Sequence, residues 1–186
     1  MSDIKPIQTE YKGYKFRSRL EARWAVFFDA CGVDWEYEPE GYDLGDGIYY
    51  LPDFLIHGCW ARRCHPIDLY VEVKGIMTNE DRQKIELFSG IKNEITKPIL
   101  VVGNIPNGKD AIDMACQCFD KCNHSGDLYN FEYVDGDYFG AFLGIEFLGF
   151  PCLFSENELE FMDSYKTEKA YKLARQARFE HGENPF

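Results

Sequence analysis

No apolar stretch in this chain approaches the length of about 18 residues that marks a membrane-spanning helix. The start, Met1-Ser2-Asp3-Ile4-Lys5, has no hydrophobic leader. Both absences lead us to expect a soluble, cytoplasmic protein. Internal repeats, low-complexity tracts and evident linkers are also missing, so the 186 residues read as one domain with a real core. Cations are scarce: 20 Lys and Arg stand against 32 Asp and Glu, for a net charge of −12. That balance argues against a general nucleic-acid binder, whose phosphate contacts are made largely by Lys and Arg. Cysteine is not scarce, but seven thiols in an intracellular chain do not read as a disulfide framework.

The cations that are present cluster. Lys12, Lys15, Arg17, Arg19 and Arg23 surround a single Glu21, and Lys166, Lys169, Lys172, Arg175 and Arg178 follow near the C-terminus. Half of all basic residues lie in these two segments. Each is a candidate phosphate-facing patch, the alternative being a solvated helix face.

The periodicities predict an α/β domain. Ser18 opens a helix to about Cys31, with Glu21 placed to complete a capping box and Gly32 to stop it. Leu20, Trp24, Phe27, Phe28 and Cys31 form its apolar stripe. Strands are expected at 35–39, 48–56 and 68–74, with a loop at 57–66. Asn79 is expected to cap a second helix with Ile85, Leu87, Phe88 and Ile91 as its apolar positions, and 98–103 reads as a buried strand. A third helix is expected over 109–122, and a hairpin around Asp135-Gly136 within the β-rich segment 128–154. Ser155 with Glu158 then caps a long last helix to about Phe179.

Three charges stand where burial penalises them: Asp53 in one apolar run, and Glu72 and Lys74 in the next. Alternation along a strand aims Glu72 and Lys74 at one face and Val71 and Val73 at the other. Two carboxylates and an ammonium on one sheet face can bind a divalent cation and activate a water. Glu21 lies about 20° beyond Phe28 on its helix, at the border of the apolar stripe. It either completes the cap or leans toward Asp53 and Glu72.

Pro52-Asp53 followed by Glu72-Val73-Lys74 resembles the PD-(D/E)XK nuclease superfamily. The segment from Phe16 to Asp29, with Trp35-Glu36-Tyr37-Glu38-Pro39 and the tail from Ala174 to Gly182, is similar to a phage and bacterial group related to the TnsA-like endonucleases. The resemblance spans nearly the whole chain. It implies a restriction-endonuclease-like core over about 11–125 (helix, three strands, helix, strand, around a mixed sheet), with a C-terminal β-hairpin and long helix over about 126–186. It implies a site of Glu21, Asp53, Glu72 and Lys74, in which Glu21, Asp53, Glu72 and the Val73 carbonyl hold Mg²⁺ or Mn²⁺. Gln83 sits where some members place a helix glutamine beside DNA, although the aromatic usual four residues later is Leu87 here. The expected function is metal-dependent hydrolysis of DNA, by an endonuclease or junction resolvase of phage or mobile-element origin acting in a bacterial cytoplasm. A homodimer would suit cutting of both strands, and a partner protein could supply targeting. The alternative is a nuclease-fold protein that binds DNA or a partner without cleaving, such as a phage-encoded inhibitor using its acidic surface.

Two Cys/His groups remain: Cys116, Cys118, Cys122 and His124, and His57, Cys59, Cys64 and His65. Four such ligands suit structural zinc, but neither group has the usual Cys-x₂₋₄-Cys spacing on both sides, which favours buried thiols.

Overall fold

A computed structural model of the chain describes residues 6–61, 65–90, 98–107, 113–114, 127–129, 139–154 and 156–179. The chain starts with a short antiparallel pair, β1 (Thr9–Tyr11) and β2 (Tyr14–Phe16). Helix α1 (Arg19–Ala30) follows, with Ser18 as its cap: the hydroxyl accepts the Glu21 N–H at 3.1 Å. Gly32, at φ +67°, turns the chain out of the helix, and the Val33 N–H reaches back to the Phe28 carbonyl. The predicted stripe is the buried one. Trp24, Phe27, Phe28 and Cys31 enter the core, and the Trp24 indole donates to the Gly103 carbonyl at 2.9 Å.

Next come β3 (Asp34–Tyr37) and a small separate pair, β4 (Tyr42–Asp43) with β5 (Tyr49–Tyr50). The strand expected over 48–56 is therefore broken. Leu51, Pro52 and Asp53 interrupt it before β6 (Phe54–Ala61), and Pro52 has no N–H for a ladder. The expected loop at 57–66 is strand instead, since β6 runs to Ala61 and β7 (His65–Val73) begins at His65. A one-residue bulge between Ile56 and Cys59 makes this fit, with Gly58 at φ +65°. Helix α2 (Asn79–Ser89) is capped by Thr78 rather than Asn79, through a reciprocal box with Asp81. Ile85 and Phe88 are buried as expected, whereas Leu87 is exposed.

β8 (Ile99–Val102) is the predicted central strand and lies parallel to β7. β9 (Asp127–Tyr129) pairs antiparallel with β8, and β10 (Phe139–Gly140) with β9; the Asp135-Gly136 turn lies outside the described residues. Of the helix expected over 109–122, only residues 113–114 are described, and they are helical. β11 (Phe142–Ile145) and β12 (Pro151–Phe154) form a C-terminal hairpin. β12 then joins the main sheet parallel to the end of β6, while β3 flanks the beginning of β6. The result is an α/β protein with a mixed eight-stranded sheet.

Ser155 and Glu158 do not start the last helix. A 3₁₀ helix spans Glu156–Phe161, Met162 bridges to Glu146, and the Asp163 N–H bonds the Ile145 carbonyl at 2.7 Å. These ties to the end of β11 interrupt any continuous helix. Asp163 supplies the cap of α3 (Ser164–Gln176), accepting the Lys166 N–H at 3.0 Å. Tyr171 of α3 stacks on Phe27 of α1 with ring centroids 4.1 Å apart, and its hydroxyl donates to the Leu143 carbonyl.

Each face of the sheet has its own apolar cluster. α1 and α3 cover Phe54, Ile56, Leu69, Val71, Val73, Leu100 and Val102 on one face. On the other, Ile85 and Phe88 of α2 meet Tyr50, Ile99 and Val101. Among the described residues no helix is long and apolar enough to cross a membrane.

Candidate active site

In the β6–β7 ladder Phe54 faces Val71 and Leu55 faces Tyr70. Carrying that register one residue further puts Asp53 opposite Glu72. Two carboxylates directly across a strand pair repel each other, and here both are withdrawn from water: Asp53 is 4 % exposed and Glu72 3 %. Val71 and Val73 turn to the α1 side, so Glu72 and Lys74 share the other face, as alternation predicts.

Every oxygen of this pair has a partner. Asp53 Oδ2 accepts the Val73 N–H at 2.7 Å, and Asp53 Oδ1 takes Arg17 Nη2 at 2.7 Å. Glu72 Oε2 accepts the Tyr50 hydroxyl at 2.7 Å, and Glu72 Oε1 pairs with Lys74 Nζ at 2.9 Å. Lys74 also reaches Asp81 Oδ1 at 3.1 Å, while Asp81 Oδ2 caps α2 through Thr78. Burial pushes the Asp53 carboxyl well above the usual carboxylate range. The charges of Glu72 and Glu21 add to that shift, and the Val73 N–H and Arg17 oppose it. Burial draws the Lys74 ammonium down, but Glu72 and Asp81 outweigh it and keep the group charged beyond the ordinary lysine range.

Glu21 does not complete the reciprocal capping box: its N–H is held by Ser18, but its carboxylate takes the Ser18 hydroxyl rather than the Ser18 backbone N–H. It accepts from the Ser18 hydroxyl at 2.6 Å, from the Tyr37 hydroxyl at 2.7 Å and from the Arg17 N–H at 3.1 Å. It also sits near enough to Asp53 for its charge to be felt there. Arg17 Nε in turn pairs with Glu38 at 2.8 Å. The centre thus gathers five carboxylates (Glu21, Glu38, Asp53, Glu72 and Asp81) around two cations, Arg17 and Lys74.

Four of the residues gathered here were missed from sequence: Glu38, which pairs with Arg17, and Arg17, Asp81 and Tyr50. Arg17 is grouped there with the phosphate-facing patch, yet its guanidinium is the partner of Asp53. Asp81 is legible only as part of the Thr78 capping box. Tyr50 looks like one more strand aromatic. Its hydroxyl contact with Glu72 depends on how the β4–β5 pair folds over α2, which no local pattern encodes.

The other predicted residues are dispersed. Lys12 pairs with Asp29 at 2.9 Å and Lys15 lies 3.8 Å from Glu10. Arg19 and Arg23 are half-buried on α1. Gln83 is exposed on α2, two residues beyond the Asp81 that holds Lys74. Arg175 donates to the Pro106 carbonyl and Arg178 is exposed past the end of α3; no described contact joins either to Asp53, Glu72 or Lys74.

Cys116, Cys118, Cys122 and His124 lie outside the described residues, as does Cys64. His57 and Cys59 do not converge. Cys59 is in the dry core, where burial pushes its thiol up and keeps it protonated, whereas His57 lies at the surface between Glu36 and Asp68.

No three His, Cys, Asp or Glu side chains among the described residues stand close enough together to hold a metal ion in this arrangement. The donor chemistry nevertheless fits a hard divalent cation. Asp53 and Glu72 are adjacent, buried, oxygen-bearing and mutually repelling, and each already holds a cationic side chain. Compared with models of known protein families and with curated proteins, the chain matches none of them.

Proposed function

We propose that the chain is a metal-dependent nuclease that hydrolyses DNA phosphodiester bonds, with a PD-(D/E)XK site formed by Asp53, Glu72 and Lys74 and flanked by Glu21. The observation that carries this reading is the buried Asp53–Glu72 pair on adjacent antiparallel strands, with Lys74 on the face of Glu72. Buried like charges destabilise a fold, and a purely structural role gives no reason to keep them. The order α1, β3, β6, β7, α2, β8 supports a restriction-endonuclease-like core, with β4–β5 inserted before β6.

Asp53, Glu72 and the Val73 carbonyl are the groups that would hold Mg²⁺ or Mn²⁺, with Glu21 beside them. Bound there, the cation would stabilise charge on the phosphate and supply a more acidic water. The Val73 N–H fixes the plane of the Asp53 carboxylate. Lys74, held between Glu72 and Asp81, is the group that would contact a phosphoryl oxygen and the attacking water. Gln83, exposed on α2, is the helix residue that would meet the strand being cut.

Incubation of the protein with labelled DNA and Mg²⁺ or Mn²⁺ tests the reading. Wild type should cleave, and Asp53→Asn and Lys74→Ala should not. Cleavage that survives both substitutions sinks the assignment.

One observation favours a second reading. With a net charge of −12, and with Lys12 and Lys15 facing their own carboxylates, the phosphate-attracting surface is thin. A nuclease-fold protein that engages a basic partner without cutting would have such a surface. Salt-dependent DNA binding in Ca²⁺ separates the two, because absence of binding at low salt favours the partner-binding form.

A further inference from the structure

We infer that Arg17 is the resident counter-ion of Asp53 and leaves Asp53 Oδ1 when a divalent cation binds, so that this arginine sets how tightly the protein takes the cation. The inference rests on the reading of Asp53 and Glu72 as cation ligands. It concerns which protein group the cation must replace.

The two oxygens of Asp53 differ in what they can exchange. Oδ2 is held by the Val73 N–H, a backbone group fixed in β7. Oδ1 is held by a side chain, Arg17 Nη2 at 2.7 Å. Only the second bond can open without disturbing the sheet. The partners also differ in burial, since the Arg17 side chain is 53 % exposed and that of Asp53 6 %. An arginine so placed can swing toward water on its long stem with little desolvation cost, whereas Asp53 cannot follow it.

Arg17 also has somewhere to go. Its Nε pairs with Glu38 at 2.8 Å, and its backbone N–H is anchored on Glu21, so the released guanidinium stays at the rim. Lys74 contrasts on each count. It is 26 % exposed and tied at both sides, to Glu72 and to Asp81. Of the two cations, Arg17 is therefore the displaceable one. Because a guanidinium does not lose its proton in the accessible pH range, pH does not remove the competition.

Titration calorimetry of the full chain with Mn²⁺ alone, on wild type, Arg17→Gln, Arg17→Lys and Asp53→Asn, tests this. Arg17→Gln should bind Mn²⁺ about three- to tenfold more tightly than wild type, the span expected for losing one half-exposed charge. Arg17→Lys should fall between them, since it keeps the charge but loses the fork that spans Asp53 and Glu38. It also serves if Arg17→Gln fails to fold. Equal affinity in wild type and both Arg17 variants, with binding lost in Asp53→Asn, overturns the role of Arg17 and leaves the metal site standing. Weaker binding in Arg17→Gln likewise overturns it, because the arginine would then be building the site. Mn²⁺ bound equally well by Asp53→Asn, or by none of the four proteins, overturns both the inference and the site reading.

Discussion

Two cross-strand ionisable pairs lie on the same face of β6–β7. Extending the register past Phe54 sets Asp53 opposite Glu72, and at the bulge four residues along His57 contacts Asp68, with the Leu55–Tyr70 pair between them. Each pair has acidic company and a cationic partner. The difference is water. His57 is one-third exposed and Asp68 and Glu36 more than half, so their contacts of 3.4 and 3.1 Å are screened and worth little. Asp53 and Glu72 are closed off by α2, Tyr50 and the segment before α1, and there burial pushes the Asp53 carboxyl well up while Arg17 and Lys74 sit at 2.7 and 2.9 Å from the pair. The chemistry sits in the burial, not in the residue types.

Substitutions at the two ends should separate most widely in catalysis. Lys74→Ala should lower cleavage at least about a hundredfold, the usual cost of losing a placed donor in a dry site, while His57→Ala should leave it within about twofold. Comparable losses from both would erase the contrast. The next effect is on stability. Tyr50→Phe strips Glu72 Oε2 of its 2.7 Å donor inside a buried site, and in urea should cost about 1.5–3 kcal/mol, as for a hydrogen bond to a charged group. A change below about 0.5 kcal/mol would mean that water reaches Glu72 after all.

The smallest effect is the pH dependence at the exposed end. Contacts with Glu36 and Asp68 raise the His57 pKa above 6.5, more than its partial burial lowers it. Its folded pKa thus exceeds the unfolded one. The stabilisation is fully present below the ordinary imidazole value and is lost as pH rises through the raised folded value. For so exposed a pair it should amount to less than about 1 kcal/mol and shrink in salt. His57→Gln should flatten the melting temperature across that window. An unchanged profile would show the pair contributes nothing.

The two ends were not equally legible in the sequence. Asp53, Glu72 and Lys74 stood out because charges interrupt apolar runs, and α1 because its stripe and Ser18 cap are local. The strand character of 57–61 and 65–66 was hidden, since a polar, cysteine-rich stretch around Gly58 looks like a loop until the bulge is seen to keep it in the ladder. Arg17 and Tyr50 were hidden for another reason. Each meets its carboxylate through a tertiary contact, at separations of 36 and 22 residues. The true cap of α3 was masked by a plausible one at Ser155, eight residues upstream of Asp163.

The claim that the buried pair exists for a cation rather than for the fold is tested most directly by melting Asp53→Asn beside wild type, with and without Mn²⁺. Asparagine can still accept the Val73 N–H and no longer repels Glu72 or Glu21. Without metal the variant should melt higher, by about 2–4 °C for each kcal/mol relieved, and Mn²⁺ should stabilise wild type alone. A variant that melts lower than wild type, and gains from Mn²⁺ as wild type does, would contradict the account.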